Sequence, residues 1–537
     1  MSYRICKNES LKTKRGSMLV YALVIMTVVS ILLTSIVGFV VEHLKFSSNR
    51  VSREEAFQVA EAGIYYYRWY LAHATDGMNA QQLKAFWQAT STLGVSGPVV
   101  RDYIDPETGD IVGSYTLTLD PPDPSSTIAR ITSVGVVTSD SGVSRTIRAR
   151  FRRPSWSEYI ALADDFMRFG EGTEVFGKIH SNKGVRFDGL AHNSVTSLIP
   201  SVNDPDHTGS NEFGVHTHVN APPGNGINNN FRPSEAAMVS PIPNRPDVFE
   251  GGRQFPVPEV SFTGVQSDLD YMKKMACDYN EATNSCAIIN GCGAHGCYFD
   301  NAKSGRQIIL KSDGTFRVCS VETYDSITNS MTGFSGRKTS ATNGDICVAP
   351  VTTSGPNTQC KDKTTGQKCY CTCSHSSFSY SIPNDGIIYV DNNVWLEGTL
   401  PLSTVRTSII AGNGTMYLGN NDIRYSTMNG SNILGIIGKQ NVEIIKNSQS
   451  TLQIDGAFLA QNGRVGRSDY GMSDYKSKIT VNGAISTKQR YGFSWTNGGD
   501  NWGYDERNLN FDNNLLYFPP PYFPTGTEYS IDLWEEL

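Results

Sequence analysis

The apolar and polar positions of this chain change rhythm three times. From Met18 to Val41 no residue is charged. An uncharged run of that length spans a hydrocarbon core as a helix, and it is longer than the apolar region of a cleaved signal peptide. The run does not end in a break. No proline occurs before Pro98, and Ala56, Ala60, Gly63, Tyr67 and Leu71 recur at helical spacing, with Ser52-Arg53-Glu54-Glu55 carrying charge on the other side. The pattern predicts one helix from Ser17 to about Ala74, roughly 85 Å long at ~1.5 Å per residue. Its first half is apolar all round and its second half is amphipathic.

The rhythm then shortens to a period of two. Gly113 to Leu119 alternates as a strand, and Ile131–Thr138 and Val143–Phe151 read as a hairpin about Ser139–Gly142. This small sheet, within 77–154, needs a cover for its apolar side, and the amphipathic half of the helix is the available one. Beyond Ser155, Thr173–Ile179 and Gly184–Asp188 are short strands. From about Leu190 to Pro258 periodicity is lost among Asn, Pro, Gly and His, so long loops are expected. Val265–Ala276 reads as one short helix.

The third rhythm is a train of short apolar segments. Gly386–Val390, Val394–Glu397, Thr407–Ala411, Thr415–Leu418, Ile433–Ile437, Val442–Ile445, Leu452–Ile454, Ala457–Ala460 and Ile479–Val481 are strand-sized and mostly separated by polar turns. Strands this short and this close suit a β-solenoid, in which each coil stacks on the last; a β-sandwich is the alternative. The fold class expected is α+β, mostly β. A long N-terminal helix lies on a small antiparallel sheet, followed by a solenoid-like head. The expected divisions are a leader (1–16), the helix (17–76), the small sheet (77–154), the first part of the head (155–276), a cysteine-rich insertion (277–373) and the solenoid-like remainder (374–537).

Composition changes this picture in two ways. The 537 residues carry 46 Lys and Arg against 52 Asp and Glu, a net charge of -6 with no basic patch, so nucleic acid is not an expected partner. Of 11 cysteines, Cys6 precedes the helix. The others are Cys277, Cys286, Cys292, Cys297, Cys319, Cys347, Cys360, Cys369, Cys371 and Cys373. An even, clustered set in an exported chain is expected to form disulfides, with pairing open. Zinc at Cys369, Cys371 and Cys373 with Cys360 or His295 is the competing use, and the absence of a C-x-x-C pair counts against it.

Catalytic motifs are missing: there is no G-x-S-x-G, Walker A or H-E-x-x-H. Asp385, Glu397, Asp422, Glu443, Asp455, Asp469 and Asp474 are the carboxylates a glycan-cleaving site would draw on, and solvated turn residues are the expectation for them. His216-Thr-His218, with Asp204, Asp206 and His207 nearby, has the residue types to gather an ion, but polar loop surface is the expectation for it, and no metal or cofactor is expected. Tyr65 to Tyr67, Trp69 and Tyr70 are expected at the helix–sheet junction or the membrane interface. Trp495, Trp502, Tyr504, Tyr517 and Tyr522 are expected to close the last open coil, or to present a surface for a glycan or protein ligand.

The leader completes the reading. Arg4, Lys7, Lys12, Lys14 and Arg15 precede the apolar run against Glu9 alone, which places the N-terminus inside and the head outside. Lys14-Arg15-Gly16 before an uncharged helix resembles the class III signal of type IV prepilins. Glu55-Ala56-Phe57-Gln58-Val59-Ala60-Glu61-Ala62-Gly63 resembles the "AEAG" helix of PilX-like minor pilins and pilus-assembly proteins. The segments 385–398, 433–438, 457–460 and 504–524 resemble the C-terminal region of the same proteins. The resemblance implies cleavage between Gly16 and Ser17 by a prepilin peptidase, with methylation of the new terminus. It further implies partnership with other pilin subunits and the pilus-assembly machinery. One departure is Tyr21, which stands where major pilins carry Glu as the fifth mature residue. The expected function is a non-catalytic minor subunit of a type IV pilus or related filament, held in lipid through residues 18–41. Alternatives are a single-span surface adhesin and a glycan-active solenoid enzyme.

Overall fold

The helix α1 (Ser17–Ala74) runs unbroken for 58 residues. Within its apolar half, the hydroxyls of Thr27, Thr34 and Ser35 donate back to the carbonyls of Val24, Ser30 and Ile31, which satisfies these three groups within the helix. The computed structural model describes residues 17–537 except 77, 79, 123–127, 207–208, 222–239, 263–264, 302–303, 335–346, 349–358, 362–367, 372–378, 498–499 and 527–528. A short helix, α2 (Ala80–Gln88), follows.

The second half of α1 lies on an antiparallel sheet. Its strands are β1 (Val99–Ile104), β2 (Ile111–Asp120), β3 (Ile128–Val137) and β4 (Asp140–Arg152), in that order. Ala56, Val59, Ala60, Ile64, Tyr67 and Leu71 of the helix are buried against Tyr115, Leu117, Ile131, Ile147, Ala149 and Phe151 of the sheet. The hairpin is tighter than expected. Val137 pairs with Asp140, so the turn is Thr138–Ser139 and not Ser139–Gly142.

The sheet has a fifth strand, and it comes from the other end of the chain. Ser530–Glu536 pairs antiparallel with β4, Ser530 opposite Arg152 and Trp534 opposite Ala149. This closing strand carries Asp532, Glu535 and Glu536, and β4 carries Arg145, Arg148, Arg150 and Arg152; they form ion pairs along the edge. Residues 530–536 therefore leave the C-terminal division (374–537) in which the sequence reading placed them. Everything between β4 and the closing strand is inserted in the sheet. The two connecting segments run side by side: Trp156 N donates to Pro524 O at 3.1 Å, and Gly526 N to Pro154 O at 2.7 Å.

The inserted head is built of coils stacked through parallel ladders. One ladder runs in space through 296–299, 386–390, 405–411, 432–438, 457–460 and 485–487. It then passes back to an earlier part of the chain: Ile485 pairs with Ala161 and Thr487 with Ala163, and the ladder goes on through 179–181, 195–197 and 253–254. A second ladder makes the same jump, from Arg507–Asn510 to Thr173–Phe176. The two parts of the head expected as separate divisions, 155–276 and 374–537, thus share one stack. These parallel pairs differ from the antiparallel pairs a sandwich requires. The stretch 190–258, expected as loops, contributes short rungs at Leu190–Ala191, Val195–Ser197, Val215–His216 and Arg253–Gln254. Its isolated Val and Ala residues pack inward, but no run is long enough to show a period.

Inside the stack lies a continuous apolar core that includes Phe187, Val195, Ile388, Leu396, Ile409, Ile436, Phe458 and Ile485. The outer face of the first ladder is covered by Trp156, α3 (Val265–Ala276) and the segment around Leu515 and Phe523. Tyr504 is fully buried, and Trp495 and Trp502 form an antiparallel pair beside it. These aromatic residues flank the middle of the stack and do not end it, because Thr173–Phe176 lies on the next rung.

Candidate functional site: the helix and its seat

The apolar half of α1 has no cover. Leu19 is 72% exposed, Ile25 62% and Phe39 66%, and the window of highest hydropathy is wholly unburied. Among the described residues it belongs to the one helix long and apolar enough to cross a membrane. Ser17 is the first residue of the helix, while Gly16 and the leader lie outside the described residues. Tyr21 is exposed with its neighbours.

The other half is seated closely. A Cβ on Gly135 would fall 2.2 Å from the carbonyl oxygen of Ala56 and 2.5 Å from the nitrogen of Ala60, and one on Gly63 would fall 2.4 Å from Ser133 Oγ. Gly135 of the sheet, set against Ala56 and Ala60, and Gly63 of the helix are therefore what lets the two backbones approach. Tyr67 continues the contact: its hydroxyl donates to Leu93 O at 2.7 Å, and burial pushes its pKa up. Tyr70 accepts from Leu93 N, whereas Tyr65 and Trp69 face outward.

The cysteine expectation is met in part. Cys277–Cys286 and Cys292–Cys297 are disulfides, and Cys319 is disulfide-bonded as well. Backbone register sets Cys347 opposite Cys371 and Cys360 opposite Cys369. The side chains of those four, and all of Cys373, lie outside the described residues.

The head's candidate carboxylates are dispersed and bound locally. Glu397 accepts from Gln307 and Asn421, and Asp455 accepts from Tyr425 N, Gln453 and Asn482. Asp469 accepts from Trp502, Asp474 pairs with Arg467, and Asp422 with Arg424. Glu443 faces Arg464 at 3.5 Å, and Asp385 accepts from Asn384. Burial raises Glu397 and Glu443, but each stands on its own rung with local partners.

The histidine pair departs furthest from expectation. His216 and His218 are not loop surface: both are buried, together with Asp204 and Glu212. Arg168, Arg186 and His216 stand in register on adjacent parallel strands, with their neighbours Met167, Phe169, Val185, Phe187 and Val215 turned into the core. The segment 198–214 brings acids over this column. Asp206 meets Arg168 and Arg490, while Asp188 and Asp204 meet Arg186. His207 lies outside the described residues. Burial opposes charge on His216, yet Asp204 and Glu212 outweigh it and raise the imidazole to about 9. Burial likewise opposes ionisation of Glu212, and the two histidines outweigh it and lower the carboxyl to about 2.

The bare apolar half of α1 and the start of its seated half are the part of the chain for which a family likeness is found. Residues 15–64 match the family profile described as PilX N-terminal, so the chain carries the N-terminal segment of that family. No curated protein matches the chain. Among solved structures, the competence-associated pilin ComZ from Thermus thermophilus is similar at 12% identity, over 90% of this chain and 97% of that one, with a TM-score of 0.26. At that score the assignment stands on the N-terminal match alone.

Proposed function

We propose that the protein is a minor pilin-like subunit, non-catalytic, whose stacked β-solenoid head is displayed outside a type IV pilus or related filament for assembly, initiation or adhesion. The observation that carries this reading is the division of α1: uncharged and uncovered from Met18 to Val41, seated on the sheet from Ala56 to Leu71. Such a helix holds the chain in lipid as a single span, N-terminus inside, and then packs among the helices of other subunits once it is withdrawn. Prepilin peptidase cleaves after Gly16 and leaves Ser17 as the methylated terminus.

Tyr21 supports a specialised position. A Glu there would be costly in lipid unless it met a neighbour's terminal amine. A subunit without it has no need of a preceding neighbour, as at a tip. Mass spectrometry of the N-terminal peptide tests the proposal. N-methyl-Ser17 supports it, whereas a chain retaining Met1 points to the alternative of an adhesin on an uncleaved anchor. Scattered carboxylates with local partners support the non-catalytic reading over a glycan-active enzyme. Glycan turnover that is lost in Glu397→Gln or Glu443→Gln would reverse it.

A further inference from the structure

We propose that Asp204, Glu212, His216 and His218 form a closed structural site for one zinc ion. The four ligand atoms lie within 4.8 Å of one another and all four residues are buried. His216 Nε2 is 2.9 Å from Glu212 Oε2 and 3.6 Å from Asp204 Oδ2; His218 Nε2 is 3.1 Å and 3.7 Å from the same two atoms. Zinc bonds of ~2.0–2.1 Å in a tetrahedron put neighbouring donor atoms about 3.3 Å apart. The four observed separations bracket that edge.

The tautomer of His216 points the same way. Its Nδ1 is 2.9 Å from Phe213 O. A carbonyl only accepts, so Nδ1 carries the hydrogen, and in neutral imidazole Nε2 is then a bare lone pair. That lone pair faces two carboxylate oxygens, at 2.9 Å and 3.6 Å. Lone pair against carboxylate is repulsive, so the arrangement needs a cation at its centre. One source is a proton on Nε2. The other is a metal ion, and a backbone carbonyl on the far ring nitrogen is how metal-bound imidazoles are held. The proton leaves His218 Nε2 to its own 3.1 Å hydrogen bond with Glu212 Oε2, whereas a metal ion would draw both Nε2 atoms and both oxygens to one centre. The charges of Asp204 and Glu212 complement a divalent ion, and two imidazoles with two carboxylates and no open position suit structural zinc.

The site explains a stretch of sequence with little apolar content. Residues 198–214 leave the stack after Ser197 and rejoin it at Val215. Asp204 and Glu212 belong to this excursion, while His216 and His218 lie on the rung it rejoins. One ion would fasten the excursion to the coil beside the anchor that buried Phe213 supplies.

The experiment uses the full chain purified in detergent, stripped with chelator and titrated with Zn²⁺ and, separately, Co²⁺. The expected result is one tight equivalent of Zn²⁺ per chain and a raised thermal midpoint. Cobalt should show the intense visible bands of a four-coordinate ion without a thiolate charge-transfer band. Glu212→Gln and the double variant His216→Gln/His218→Gln should lose that equivalent. X-ray absorption at the zinc edge of the wild-type chain covers the case in which the variants misfold, and the expected shell is nitrogen and oxygen only. A folded, stripped chain that takes up no stoichiometric Zn²⁺ would overturn the proposal. So would uptake through a sulfur-containing shell, since the cysteine-rich segment would then be the ligand.

Discussion

Arg150 and Asp532 are 382 positions apart in the chain, yet the guanidinium donates to the carboxylate at 2.7 Å. The same carboxylate takes a second donor, Arg152 Nε, at 3.1 Å, and Arg152 also reaches Glu158 at the start of the head. The contact ties the last strand of the chain to β4 and sets the head between them. Hydrogen bonds to charged groups contribute about 1.5–3 kcal/mol each where they are partly shielded. Asp532→Ala should therefore lower stability by roughly 1–3 kcal/mol, read by denaturant unfolding in detergent. An unchanged midpoint would mean that Asp532 does not help to hold the closing strand.

Removing the head altogether tests whether the helix and its sheet are a unit. Ser530 lies opposite Arg152, so residues 153–529 span a loop whose ends are strand neighbours. A chain in which a four-residue turn joins Arg152 to Ser530 should keep the sheet, with α1 protected from protease between Ala56 and Leu71. Loss of that protection would show that the head supports the sheet.

The helix seat makes an ordered prediction. At Gly135 an added Cβ meets helix backbone, and at Gly63 it meets first the Ser133 hydroxyl and then the Tyr115 ring. Backbone yields less than a side-chain tip. Gly135→Ala should cost about 1–3 kcal/mol and Gly63→Ala less, compared by limited proteolysis at α1. The reverse order would refute this account of the AEAG segment.

Ile31 is 66% exposed in the middle of the uncharged run. Arginine at the centre of a membrane helix costs about 2.5–3.5 kcal/mol on insertion. Ile31→Arg should thus shift the chain from the membrane pellet toward the soluble fraction, whereas Gln58→Arg, on the exposed side of the seated half, should leave partition unchanged.

A pH effect is expected at the edge of the stack. Hydrogen bonding to Glu174 outweighs the opposing effect of burial and, joined by Glu250, raises His192 above its ordinary value, and the ring stacks on Phe176 at 4.0 Å. A raised folded pKa means that protonation favours the folded state. The contribution is full below about 6.5, the unfolded value, and fades as pH rises through the folded pKa. His192→Gln should separate from wild type in thermal midpoint at pH 5.5 and converge with it at pH 9. The group is exposed, so the separation should be small and shrink in salt.

Much of the architecture was legible because it rests on periodicity. The Met18–Val41 run, the seat at Ala56, Ala60 and Gly63, and the short strands from Gly386 to Val481 all announce themselves locally. What stayed hidden is non-local. The closing strand has weak alternation, because an edge strand buries little, and its partner is encoded in charge, Asp532 and Glu535 against the arginines of β4. The pairing of Ile485 with Ala161 joins rungs more than three hundred residues apart, which no local pattern specifies. The buried histidine pair lay in a segment whose polarity reads as surface. Asp204, Glu212, His216 and His218 within 15 residues was the available signal, and spacing alone did not reveal that Val215 and Val219 would turn inward and carry the histidines under cover.

The jump of the ladders has a consequence for the order in which the molecule can form. Rungs from Ala161 to Gln254 emerge early from synthesis and export, but the surface they stack on, Thr487 and Arg507 to Asn510, emerges near the end, and the closing strand later still. The early rungs must wait, and both the head and the seat of α1 are completed by residues between 485 and 536. A truncated copy would present a membrane helix with an unfinished sheet edge. Completion by Ser530–Glu536 therefore orders assembly: the sheet edge beside β4 closes only after the whole inserted head has been made.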